Sequence, residues 1–105
     1  MKIKARIITY DNVNYPEAPD CSKEFDVNSI DDIVSNVELV LDTFNGIYPD
    51  YIMIEAWDDE DNFNDIIFEY ETERKHDKLN DVRDELLDMI RNIDITNMGL
   101  SNEDN

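Results

Sequence analysis

Few residues in this chain have side chains suited to catalysis. There is one histidine, His76, and one cysteine, Cys21, so a Cys–His nucleophile pair has a single possible composition and no motif behind it. Gly46 and Gly99 are the only glycines, which excludes a glycine-rich phosphate loop. Zinc lacks its usual ligands. The acids offer more. Asp58-Asp59-Glu60-Asp61-Asn62 is the densest run. Counting from Asp58 puts Glu60, Asn62, Asn64 and Glu69 at the third, fifth, seventh and twelfth positions, the spacing of a calcium loop. Phe63 stands where that loop needs glycine, and strands rather than helices flank it, so the spacing amounts at most to a weak adventitious site and not a sensor. No catalytic residue, metal site or cofactor is expected.

The elements that must carry these acids follow from periodicity. Ile3, Ala5 and Ile7 alternate with Lys2, Lys4 and Arg6, the period of a half-buried strand over Lys2–Tyr10. Asn12, Asn14, Pro16 and Pro19 mark a loop to about Ser22, and Lys23–Val27 fits a short second strand. Ser29 with Asp32 makes a capping pattern ahead of a helix. Ile30, Ile33, Val34, Val37, Val40, Leu41 and Phe44 form its apolar stripe, and Asn45-Gly46 its stop. Asp31, Asp32, Ser35, Glu38 and Asp42 lie opposite, with Leu39 exposed among them.

Tyr51–Trp57 and Ile66–Glu73 read as a hairpin around the acidic turn, with Ile52, Ile54, Ala56, Ile66, Phe68 and Tyr70 inward. A second helix spans about Asp77–Ile93, with Leu79, Val82, Leu86, Met89, Ile90 and Ile93 inward. The order β(β)αββα predicts an α+β fold: a small, mostly antiparallel sheet with two amphipathic helices packed on one face. Residues 1–94 form a single domain in this reading, and 95–105 a loose polar tail.

Composition excludes several functions. Twenty-seven acids against nine basic residues give a formal charge of −18 in 105 residues. A partner held through phosphates needs a positive patch, so neither direct nucleic-acid binding nor an anionic membrane surface is expected. The chain is 41% hydrophobic with ordered periodicity, enough for a core and unlike a disordered acidic tail. A lone cysteine gives no intrachain disulfide. No secretory leader and no apolar run long enough for a membrane helix stand out, which predicts a cytoplasmic protein, in the host-cell cytoplasm if phage-encoded.

The distribution of charge says more than its total. From Glu24 to Glu73 there are sixteen carboxylates and no Lys or Arg. A stretch with no cation of its own cannot neutralise its helix face or turn locally, and like charge repels itself. This predicts that the acids face something positive outside the chain. The expected partner-binding residues are Asp58, Asp59, Glu60, Asp61, Asp65, Glu69, Glu71 and Glu73 of the hairpin, and Asp31, Asp32, Glu38 and Asp42 of the first helix. Alternate strand carboxylates sit about 6.6–6.8 Å apart, close to two phosphate steps of DNA at about 3.4 Å each. For Glu69, Glu71 and Glu73 a structural alternative stays open: pairing with Lys2, Lys4 and Arg6 across the sheet. Trp57, beside the turn, fits a packed strand residue better than a binding anchor.

Two resemblances bear on function. Pro49-Asp50 with Glu73-Arg74-Lys75 resembles the PD-(D/E)xK nucleases; that resemblance implies Mg²⁺ on Asp50 and Glu73, with Lys75 positioning a water. Such an enzyme must attract a polyanion that this chain repels. The stretch Trp57-Asp58-Asp59-Glu60-Asp61-Asn62-Phe63-Asn64-Asp65 is similar to the aromatic-and-acid strand ends of some small acidic phage-encoded anti-CRISPR and anti-restriction proteins. This implies a non-enzymatic DNA mimic that occludes the nucleic-acid-binding site of a bacterial defence enzyme, a Cas nuclease or restriction complex. An immunity protein that neutralises a basic nuclease toxin is the alternative from another class.

Overall fold

The computed structural model describes residues 3–10, 21–44, 49–58, 60–73 and 77–93. The loop at 11–20, the helix stop at Asn45-Gly46, Lys2, Asp59, Lys75, His76 and the tail from 95 lie outside them. Four strands form one antiparallel sheet: β1 (Ile3–Tyr10), β2 (Cys21–Val27), β3 (Tyr51–Asp58) and β4 (Phe63–Glu71), in the spatial order β2-β1-β3-β4. Helices α1 (Ile30–Phe44) and α2 (Arg83–Arg91) complete an α+β fold, with a 3₁₀ turn at Leu79–Val82 leading into α2. The second expected helix is therefore shorter than its apolar pattern and begins as a tighter turn. Asp81 closes that turn by accepting the Lys78 N–H at 2.8 Å.

The core lies between one face of the sheet and the two helices. Ala5 and Ile7 of β1, Ile52 and Ile54 of β3 and Val27 of β2 meet Ile30, Ile33, Val34, Val37, Val40 and Leu41 of α1, with Leu79, Leu86 and Ile90 from the C-terminal segment. Each is essentially removed from water, and burying a side chain of this size stabilises the fold by roughly 1.5–3 kcal/mol before entropy is charged against it. The α1 cap is half of the expected box: the Asp32 carboxylate accepts the Asn28 and Ser29 N–H groups at 2.8 and 3.3 Å. Asn80 joins the helical segments by donating its side-chain amide to the Leu41 carbonyl at 2.9 Å.

Two inward assignments are corrected. Ile66 is 41% exposed and Ile67 packs against the core in its place. The cause is the ladder: Ile54 pairs with Phe68 but Glu55 with Ile66, so Ile67 is an extra residue that resets the alternation. In α2 the Met89 side chain is exposed and Leu87 packs against the core, because the two lie on opposite flanks of the buried Leu86–Ile90 stripe and only the Leu87 flank turns inward. Leu39, expected to be exposed, is 54% exposed.

Candidate functional site

No helix among the described residues covers the sheet's second face, and register fixes which residues share it. Four rows cross it: Asp26-Lys4-Trp57-Phe63, Glu24-Arg6-Glu55-Ile66, Ser22-Ile8-Met53-Glu69 and, at the far end, Tyr10-Tyr51-Glu71. Cations occupy the centre and acids both flanks. That order follows from sequence: Lys4 and Arg6 are the polar alternates of β1, and β1 is a central strand.

The two central cations are engaged. Lys4 binds Asp61 of the hairpin turn directly and lies 3.8 Å from Glu24; its pKa is raised, chiefly by the hydrogen bond to Asp61 against some desolvation. Arg6 lies 3.8 Å from Glu55, directly opposite on β3, and donates to the Ser22 hydroxyl at 3.0 Å. The Trp57 indole N–H also donates to Glu55, at 3.3 Å, and the ring meets Phe63 edge-on with centroids 5.7 Å apart. Trp57 is thus a half-buried, packed strand residue.

The acidic turn is built by its own first residue. The Asp58 Oδ1 accepts the backbone N–H groups of Glu60 and Asn62, both at 2.9 Å, and Oδ2 takes the Asn62 side-chain amide at 3.4 Å. Asp58 N–H in turn donates to the Asn62 carbonyl at 3.0 Å. The Asn62 backbone bond, with lesser help from Glu60, the Asn62 side chain and Lys4, holds the Asp58 carboxyl below the ordinary carboxylate range. Asp61 occupies the left-handed region at φ 63°, which a short polar side chain tolerates. Asp58 and Asp61 therefore organise the turn. Glu60 is exposed, and Asp59 lies outside the described residues.

The α1 acids also have partners, supplied from α2. Arg83 bridges Asp42 at 2.6 Å and Glu38 at 3.7 Å, and Arg91 reaches Asp31 at 3.3 Å. Asp32 is the helix cap already described. The expectation that these acids and the turn lacked internal cations is corrected: pairs separated by 41 to 60 residues neutralise what no neighbour in sequence could.

The β4 acids differ. Glu69 and Glu71 share the open face at the sheet's edge, Asp65 pairs in register with Ala56, and Glu73 follows the strand; all four are exposed. β3 stands between β4 and β1, so Lys4 and Arg6 reach Glu24, Glu55 and Asp61, and the alternative pairing with Glu69, Glu71 and Glu73 does not form for them. No described cation forms an ion pair with Asp65, Glu69, Glu71 or Glu73. Asp65 accepts the neighbouring Ile66 N–H at 2.8 Å. Glu69 acts on Tyr51, whose hydroxyl is pushed up to about 12 by burial first and then by the Glu69 charge and hydrogen bond. Tyr51 stacks on Tyr10 at 4.9 Å. Beyond the strand, Tyr70, Glu73, Asp77, Val82 and Glu85 line a shallow depression. Burial raises the Tyr70 pKa, with Glu73, Glu85 and Asp77 adding to it.

The nuclease-like triplet comes together in part. Asp50 immediately precedes β3 and its carbonyl accepts the Thr72 N–H at 3.0 Å, one residue from Glu73. Asp50 is only 3% exposed, whereas Glu73 is exposed and Lys75 lies outside the described residues. Sequence reasoning missed Arg83 and Arg91 as the cations of the α1 face, Glu55 as the partner of Arg6, and the exposed pair Phe63 and Ile66 beside the acids. The i, i+8 spacing of Arg83 and Arg91 on the second helix was the available signal for the first of these.

No helix among the described residues is long and apolar enough to cross a membrane. Comparison with protein-family models, curated proteins and solved structures finds no match.

Proposed function

We propose that this protein is an acidic inhibitor that occludes the nucleic-acid-binding site of a bacterial defence enzyme, by presenting carboxylates where that enzyme expects phosphates. One observation carries the reading. Among the acids of the cation-free stretch Glu24–Glu73, the α1 face and the turn spend much of their charge on internal cations, whereas Asp65, Glu69, Glu71 and Glu73 are exposed and unpaired by any described cation. Concentrated like charge weakens the folded state, so an unneutralised edge invites an external cationic partner. The contact surface is accordingly narrower than the sequence reading: β4 with its Asp65, Glu69 and Glu71, and the adjoining Glu60 and Glu73, with Asp58, Asp61, Asp31, Asp32, Glu38 and Asp42 in structural roles. Steered, salt-sensitive association follows from such a surface.

The reading is tested by association with a Cas nuclease or restriction complex in the presence of duplex DNA. Competition between the protein and DNA supports it; simultaneous binding of both removes it. A second reading, an immunity protein for a basic nuclease toxin, draws on Phe63 and Ile66, exposed by 49% and 41% among the acids. Apolar side chains suit a dedicated protein partner and have no counterpart in a phosphate row.

A further inference from the structure

We propose that β4 is a strand-addition edge: it takes an extended segment of the partner whose residues alternate between basic and apolar. The inference rests on the functional reading above and names the element of the partner that this surface fits.

β4 is the terminal strand of the sheet, paired on one side by β3 and on the other by nothing among the described residues. The outer edge of such a strand presents a row of backbone N–H and C=O groups ready to template another strand. Natural sheets blunt edges with charged side chains, Pro or bulges, and the charges of β4 are acids, which repel like edges but not a basic strand. β4 has neither Lys nor Pro in Phe63–Glu71, whereas β2, the opposite edge, carries Lys23. Its irregularities lie toward the turn, where Ile67 and Asn64 are extra residues, and leave Phe68–Glu71 in unbroken register with Ile54–Tyr51.

Side chains select the occupant. Along Phe68–Glu71, Glu69 and Glu71 point to the open face, while Phe68 and Tyr70 point to the core side and remain half-buried. An added strand sets its own side chains about 4.5–5.5 Å from theirs. Its open-face residues must therefore be Lys or Arg, and those beside Phe68 and Tyr70 apolar. A second copy of this chain is disfavoured, because pairing β4 with β4 brings like charges together across the edge.

The test uses the full-length protein and a synthetic peptide alternating Lys and Val, followed by backbone NMR and amide exchange. The expected result is slowed exchange and shift changes centred on Phe68–Glu71. The same peptide, N-methylated at alternate amides along one edge, keeps its charge but loses the ladder, and should bind about tenfold or more weakly. A peptide with its Lys residues grouped at one end should bind weakly too. Equal affinity for the parent and N-methylated peptides would overturn strand addition while leaving charge-driven inhibition standing. Shifts confined to the helices, no binding of the parent peptide, or a dimer already protecting β4 without peptide would overturn it as well. The inhibitor reading fails separately, through the DNA competition experiment.

Discussion

The outer face of α1 and the exposed side of β4 look alike in sequence, since both are acidic, lie in the cation-free stretch and alternate with apolar residues. In the folded chain they are opposites. Asp31, Glu38 and Asp42 meet Arg91 and Arg83, and Asp32 is bound to backbone N–H groups. Asp65, Glu69, Glu71 and Glu73 meet no described cation. The difference comes from position in the sheet and helix layers, not from composition. α1 packs beside α2, which supplies arginines, while β4 is an edge strand separated from Lys4 and Arg6 by β3. Net charge therefore overstates how much acid is available to a partner, and topology decides which part remains.

Changes to the turn and core should have the largest effects. Asp58→Ala removes the acceptor for three donors and should lower thermal stability more than the loss of any other exposed acid, read by circular dichroism. Ile54→Ala, in the centre of the sheet, provides the scale at about 2–5 kcal/mol in urea unfolding. A comparable loss at Glu71→Ala would break the contrast between organising and outward-facing acids.

Next in size is the cation that serves α1. Arg83→Ala leaves Glu38 and Asp42 without their partner and should cost about 1 kcal/mol at low salt, with the penalty shrinking as salt rises. By contrast, Glu71→Gln should leave stability unchanged or raise it by a few tenths of a kcal/mol, because it removes repulsion and breaks no described ion pair. If both variants were equally destabilising, the two surfaces would not differ as described.

A pH titration sharpens the account on β4. Tyr51 is held protonated by burial and by Glu69, with its pKa pushed up to about 12 from the ordinary value near 10. The folded state thus keeps the proton longer than the unfolded chain. The stability this contributes is fully present below about pH 10 and is lost as pH rises from about 10 towards about 12. Tyr51→Phe should flatten that alkaline decline, and Glu69→Gln should shift tyrosinate absorbance to lower pH. Leu39→Ser, on the already neutralised α1 face and away from the core, gives the smallest effect, within about 0.5 kcal/mol.

The elements were legible in the sequence because they depend on local period. Ile3, Ala5 and Ile7, then Ile52, Ile54 and Ala56, are buried on the alternation that marked them, as are Ile30, Ile33, Val34, Val37, Val40 and Leu41 on the helical period of α1. A bulge inserts one residue without a compositional sign, so Ile66 and Ile67 exchange roles. The site was less legible because its electrostatics are long-range. Lys4 and Asp61 are 57 residues apart, and Asp31 and Arg91 are 60 apart. A count of charges within a window cannot find such pairs, and it placed turn and helix acids on a par with β4.

The most direct test sets the two surfaces against each other as baits in a pull-down from a bacterial lysate. One bait carries Glu69→Gln, Glu71→Gln and Glu73→Gln; the other carries Asp31→Asn, Glu38→Gln and Asp42→Asn. The expected result is that the wild type and the α1 bait recover the same DNA-binding enzyme, released by competing duplex DNA, and that the β4 bait does not. Equal recovery by both baits, or a partner that duplex DNA does not displace, would contradict it.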